Sequence, residues 1–405
     1  MNPLRTLAIV ALMLGVSLAR AEAGELRIED FRFDGPMGCD GAALEKVAEN
    51  HFKMTLAHAP KHPEWANWIH FEIPRNARGN SLRLDVEFDY AKPQYNFNHY
   101  DPSWSHDGRE WRYVHWQPGG VKGRAGTLLF PEFTEDRVLV GTQLPMTLPD
   151  RRRLIDRWGK HPHCKVHVLG KSLEGRNLYR LTVTDPDSPH PPARRWVHHV
   201  ANQHPGEGVA QWYIAGMIDW LLSDDAAEHR KRTIAHFTLM MDPDGVAHGW
   251  CRTNAQGFDM NRTYRVEGAD KDQQAHEAFV FQRDLQRLMK SESPVTTSWS
   301  MHSWKGPRLE PILVGRGPEL GTAVGSWEEL GKLIEKNDPR NVVEPLRAYP
   351  KPTPPKYWDA GPFRQFGITN MLIEGGGGLL SKPQCLDAGA VVIRSVVEHY
   401  RGLRK

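Results

Sequence analysis

His204-Pro205-Gly206-Glu207 sets an imidazole and a carboxylate three residues apart, and His302 and Glu374 follow far downstream. Two such groups can turn toward one divalent ion, and a distant histidine can supply a third ligand. Three protein ligands leave a fourth position for water, which is the arrangement of a catalytic zinc site. Pro205 and Gly206 make the segment a turn, unlike the helical two-histidine zinc motif. His-x-x-Glu alone is common by chance, so its meaning depends on its surroundings.

The second dense block runs from Met241 to Tyr264 and brings Arg252, Asp259, Asn261 and Arg262 into a glycine-punctuated stretch. A guanidinium binds a carboxylate through two parallel hydrogen bonds, so an arginine beside an amide side chain can form a carboxylate dock. A solvated turn with surface arginines is the competing reading, and from the residues alone the two are even.

The elements that must position these groups change character along the chain. From about Leu26 to Pro149, short alternating runs such as Trp68–Ile73, Ser81–Phe88, Trp111–Trp116 and Arg137–Gly141 argue a small antiparallel β-sandwich. Trp65, Trp68, Trp111 and Trp116 are expected to fill its core. After Pro149, strands expected at Trp196–Ala201, His236–Met241, Val295–Met301, Pro311–Val314 and Ile368–Ile373 alternate with helices. The helices are expected at Val209–Leu222, at Asp272–Met289 and from about Asp387 onward. This pattern predicts an α/β fold with a mixed, largely parallel central sheet flanked by helices. His204 and Glu207, His302, and Glu374 each fall just past a strand, where open α/β sheets bind ligands. His198 and His199 fall within a strand and read as core residues.

Composition bounds the rest. Of 405 residues, 40% are hydrophobic and 25% charged, with a net charge of +3. These values fit a soluble globular chain, and no basic stripe points to nucleic acid. Arg5, an apolar run from Leu7 to Leu18 and Ala21-Glu22-Ala23 read as a secretory signal over residues 1–23. That predicts a periplasmic or secreted protein with no membrane association beyond the signal. A sandwich domain over 24–149 and a catalytic domain over 150–405 would follow. Cys39, Cys164, Cys251 and Cys385 are scattered, and free thiols and disulfides both remain open.

In combination, six motifs resemble the zinc metallocarboxypeptidases of the carboxypeptidase A type, and most closely the cytosolic carboxypeptidase, or deglutamylase-like, subfamily. They are His-Pro-Gly-Glu at 204–207, Asp-Pro-Asp-Gly-Val at 242–246, Gly-x-x-Arg at 249–252, Gly-x-Asp-x-Asn-Arg at 257–262, Met-His-Ser at 301–303 and Ile-Glu at 373–374. Trp65 to Phe71, Tyr90-Ala-Lys-Pro and Phe130-Pro131 to Pro145 are similar to that subfamily's companion domain. The resemblance covers nearly all of the chain beyond the signal.

The resemblance implies one zinc ion held by His204, Glu207 and His302, with Asp259 orienting a ligand histidine. It implies that Asn261 and Arg262 hold the substrate's C-terminal carboxylate and that Arg252 polarises the scissile carbonyl. Glu374 would be the general base, and Tyr357, rather than Tyr349, would cap the substrate. The implied substrate is a peptide with a free C-terminal carboxylate. An acidic last residue would need a cation in the side-chain pocket, for which Lys356 and Arg364 are the nearest candidates. Two other readings stand beside this one: a zinc amidohydrolase acting on peptidoglycan stem peptides or N-acyl amino acids, and a non-catalytic binding protein on the same scaffold.

Overall fold

The computed structural model describes residues 24–35, 38–88, 101–119, 124–304, 306–314, 327–349 and 353–403. The expected secretory signal and the Tyr90-Ala-Lys-Pro segment lie outside the described residues.

Two sheets occupy the N-terminal part. The first runs in the order Ala43–Ala48, His51–Leu56, Leu82–Phe88, Ala125–Phe130, Gln117–Gly119. The second runs in the order His70–Ile73, Val138–Thr142, Pro102–Ser105, Arg112–Tyr113. Period-two patterning explains how they meet. Leu82, Leu84, Val86 and Phe88 face inward and Arg83 outward, and Phe52, Met54, Phe71, Ile73, Val138 and Val140 join them in one apolar core. The expectation of a wholly antiparallel arrangement fails at one place, because His51–Leu56 runs parallel to Leu82–Phe88.

The expected tryptophan core is also only partly realised. Trp116 belongs to it, whereas Trp111 packs toward the α/β core. Trp65 and Trp68 leave the sandwich and form a separate cluster with Cys251. Alternation tells which side of a strand a residue faces, not which neighbour waits there.

The transition to α/β structure comes at helix Leu148–Trp158, which Thr147 caps by accepting from the Asp150 backbone N–H. An eight-stranded sheet follows, in the order Cys164–Lys171, Asn177–Val183, Thr233–Thr238, Trp196–Asn202, Thr297–Met301, Thr369–Gly375, Leu309–Val314, Arg347–Tyr349. Four of its seven neighbouring pairs are parallel and three antiparallel, so the sheet is mixed and largely parallel as expected. Helix Gly208–Leu222 is apolar nearly all round because it is buried between the sheet and helix Lys382–Gly402. That last helix starts earlier than expected, where Ser381 and Gln384 form a capping box. The four cysteines are separate buried thiols.

Candidate active site

Adjacent parallel strands bring the chemistry together. Asn202 pairs with Met301 and Met301 with Ile373, so the first two strands end level with Ile373 on the third, which runs on to Gly375 and, against the expectation from sequence, holds Glu374 within it, paired with Glu310. His204 lies two residues beyond the first end, His302 one beyond the second, and Glu374 one beyond Ile373. At about 4.8 Å between strands, residues far apart in sequence are gathered within about 10 Å. The His302 N–H donates to the Ile373 carbonyl (2.8 Å), which ties two of these ends together.

The Pro205-Gly206 turn places Glu207 at the N-cap of helix Gly208–Leu222. A carboxylate there faces the positive end of the helix dipole. His204 Nδ1 is 2.8 Å from Glu207 Oε1, His302 Nδ1 is 2.8 Å from Glu207 Oε2, and the two Nδ1 atoms are 3.1 Å apart. All three side chains are buried. Tetrahedral zinc with bonds of about 2.0–2.1 Å separates its ligand atoms by roughly 3.3 Å. Two imidazoles and a carboxylate, gathered at nearly this spacing, therefore fit one zinc ion.

The opposite ring nitrogens are also held. His204 Nε2–H donates to Asp259 Oδ1 (3.0 Å), and Asp259 Oδ2 accepts from Arg252 Nε (2.5 Å). His302 Nε2 is 2.9 Å from Ser300 Oγ, which donates to Gln203 Oε1 (2.8 Å). Neither Ser300 nor Gln203 stood out in the sequence, although Ser300 lies two residues before His302, which directly follows strand Thr297–Met301.

Electrostatics follow from burial and this pairing. Burial raises the Glu207 carboxyl, but the two imidazoles outweigh it and hold the group at about 2. Burial lowers both histidines. At His204, Glu207 and Asp259 overcome burial and the Arg252 charge and leave the pKa above the ordinary value, whereas at His302 burial prevails. Withdrawal from water, then the charge of Glu207, drives the Glu374 carboxyl well above the usual range.

A cleft of about 350 Å³ opens over these groups. Its lining includes Arg252, Arg262, Trp304, Glu310, Arg347 and Glu374. Asn261 also lines it: its Oδ1 accepts from the Trp358 N–H (2.7 Å), and its Nδ2 lies 3.1 Å from His302 Nε2. Tyr357 is absent from the lining among the described residues, and its ring packs on the Arg262 guanidinium at 3.8 Å. Lys356 and Arg364 are exposed and outside the lining; the cation that does line the far wall is Arg347, which pairs with Glu310. The Tyr349 side chain lies outside the described residues.

The Asp-Pro-Asp-Gly-Val motif acts through structure. Asp242 caps the short helix Pro243–His248 by accepting from the Gly245 N–H (2.8 Å). That helix ends at Gly249, which leads directly into Arg252.

Residues 153–303 match the family model described as zinc carboxypeptidase (Peptidase_M14). The chain is 41% identical over 107 residues to cytosolic carboxypeptidase 2 of Danio rerio, covering 25% of this chain and 15% of that protein. It is 25% identical over 249 residues to cytosolic carboxypeptidase 2 of Xenopus tropicalis, covering 54% of this chain and 25% of that protein. The matches thus span a quarter or less of those relatives. A solved metallo-carboxypeptidase from Burkholderia cenocepacia shares the fold, with a TM-score of 0.73 at 20% identity, over 90% of this chain and 98% of that one. Residues 153–303 thus match a zinc carboxypeptidase domain, the chain is homologous in part to the cytosolic carboxypeptidases, and its fold is similar to that of a bacterial metallo-carboxypeptidase.

Proposed function

We propose that the protein is a zinc-dependent carboxypeptidase that removes the last residue of a peptide, with Glu374 as general base. The observation carrying this is the convergence of His204 Nδ1, the Glu207 carboxylate and His302 Nδ1 within 3.1 Å of one another, beneath a cleft lined by Arg252, Arg262 and Glu374. His204, Glu207 and His302 hold the ion. When bound, zinc supplies Lewis acidity and makes a water acidic enough to ionise near pH ~7.

The chain's own residues supply the rest. Glu374 takes a proton from the attacking water and returns it to the departing amine. Arg252, fixed by Asp259, presents charge to the carbonyl oxygen as it becomes anionic. Arg262 and Asn261 receive the terminal carboxylate, which only a chain end carries, with Asn261 fixed by the Trp358 N–H that donates to its Oδ1.

An acidic last residue is the preferred one in this reading. The supporting feature is Arg347 on the cleft wall, although Glu310 offsets part of its charge. The apolar stretch at residues 7–18 supports export, so we place the enzyme in the periplasm or medium.

A peptide library varied at its last residue, with matched amidated ends, tests the function by mass spectrometry. Release of single C-terminal residues from free ends, abolished by a zinc chelator and absent on amidated ends, is the expected result. Cleavage of N-acyl amino acids in preference to peptides would select the amidohydrolase reading. A mature N-terminus at Gly24 in exported protein would support the signal, and an intact Met1 would reject it.

A further inference from the structure

Trp65 and Trp68 belong by sequence to the N-terminal β unit, but both reach across to the loops that carry the active site. Trp65 lies on strand His62–Ala66, and its ring faces the Arg252 guanidinium, with Cζ 4.9 Å from the ring centroid. Arg252 is buried, and its Nε is bound to Asp259. The guanidinium is thus held in its plane by a carboxylate and across its face by an indole. Two restraints of different direction fix the orientation of a planar cation better than either alone.

Trp68 grips the same region. Its N–H donates to the Gly249 carbonyl (2.8 Å), and the Gly206 N–H donates to the Cys251 carbonyl (3.2 Å). A Cβ at position 206 would stand 1.5 Å from Trp68 Nε1, so the turn between the two ligands His204 and Glu207 is glycine because the indole occupies that space. At Gly249, φ is +74° and an added Cβ would meet the Gly38 carbonyl oxygen at 2.0 Å. Gly38, like the tryptophans, belongs to the N-terminal part.

We propose that the N-terminal β unit is a working part of the catalytic site, with Trp65 as a positioning residue that holds the Arg252 guanidinium where the carbonyl oxygen becomes charged. This rests on the role given to Arg252 above. It assigns to the β unit a function that simple packing between two units does not require. A cation over an indole face is attracted by the ring's electron-rich surface, more strongly when desolvated, so the aromatic face rather than bulk alone matters.

Steady-state kinetics on a peptide with a free C-terminus test this, using zinc-loaded full-length protein. Trp65→Ala should lower kcat about tenfold, with KM within about twofold, and zinc content should be unchanged. Trp65→Phe should recover most of the loss, whereas Trp65→Leu, which keeps apolar bulk without a ring face, should not. If Trp65→Ala does not fold, the Phe and Leu pair decides alone. Adding Trp65→Ala to Arg252→Ala should slow the enzyme no further. Full kcat in Trp65→Leu, or equal loss from Trp65→Ala with and without Arg252, would overturn the proposal. Full kcat in Arg252→Ala would instead remove the role of Arg252 itself, a different failure.

Discussion

Asp259 stands between His204 and Arg252, accepting from the imidazole Nε2 through one oxygen (3.0 Å) and from the guanidinium Nε through the other (2.5 Å). One carboxylate therefore orients a candidate metal ligand and a candidate oxyanion partner together. Burial opposes its charge, but His204 and Arg252 outweigh it and hold its pKa far below the ordinary value. Asp259→Ala should weaken zinc binding by about 10–100-fold, since partners of ligand histidines typically carry that much. Competition with a chromogenic chelator measures it. Wild-type affinity would mean that the imidazole needs no such partner.

Glu374 is adjacent to the ion site without being one of the three converging ligands. Glu374→Gln keeps shape and volume and removes the proton acceptor. Zinc stoichiometry should stay at one, while kcat falls by at least about 10²-fold. Metal analysis beside rate measurement separates the two. A variant that loses zinc as well would make Glu374 a ligand and not a base.

How far the sequence reached is clearest at these residues. His204, Glu207 and His302 could be read as one cluster because they follow apolar strand runs that adjacent parallel strands bring to one edge, whereas Glu374, expected past its strand, lies within Thr369–Gly375. The hairpin Cys164–Lys171 and Asn177–Val183 was missed, because its polar, half-buried faces dilute the alternation. Trp65 was misplaced for a related reason: burial patterning cannot separate a sandwich core from an inter-unit contact. Arg347 was missed as a cleft residue because its strand Arg347–Tyr349 closes the sheet edge only through Leu309–Val314, which itself runs against Thr369–Gly375. Such crossovers leave no mark in local sequence.

Arg347 pairs with Glu310, which in turn lies directly across from Glu374 on the neighbouring strand. Removing the guanidinium strips the far wall of its cation and leaves Glu310 unopposed. Arg347→Ala should lower kcat/KM for peptides ending in glutamate by about tenfold and change alanine-ending peptides little, about 1.4 kcal/mol of discrimination. Glu310→Gln should act in the opposite sense, because it frees the arginine. Equal effects of Arg347→Ala on both substrates would show that the side-chain pocket lies elsewhere.

Two classes of histidine bracket the pH range of stability. Burial holds His199 down at about 3 and His70 at about 4, against an ordinary value of 6.5. The unfolded chain takes up these protons below pH 6.5 and the folded one does not, so stability falls as pH drops. At 1.36 kcal/mol per unit, each histidine costs about 2 kcal/mol by pH 5, the loss ending near pH 4 for His70 and near pH 3 for His199. His248 is the reverse case. Burial opposes its charge, but Glu174 at 2.7 Å and the closer Asp40 outweigh it and raise its pKa. Its contribution is complete below pH 6.5 and disappears as pH rises through the raised value. Melting temperature should therefore peak near pH 6.5 and fall on both sides. Calorimetry across pH 5–8.5 checks this: His199→Asn should flatten the acid limb alone, and His248→Gln the alkaline limb alone. If either variant altered the opposite limb, the assignment of the two limbs to these side chains would be wrong.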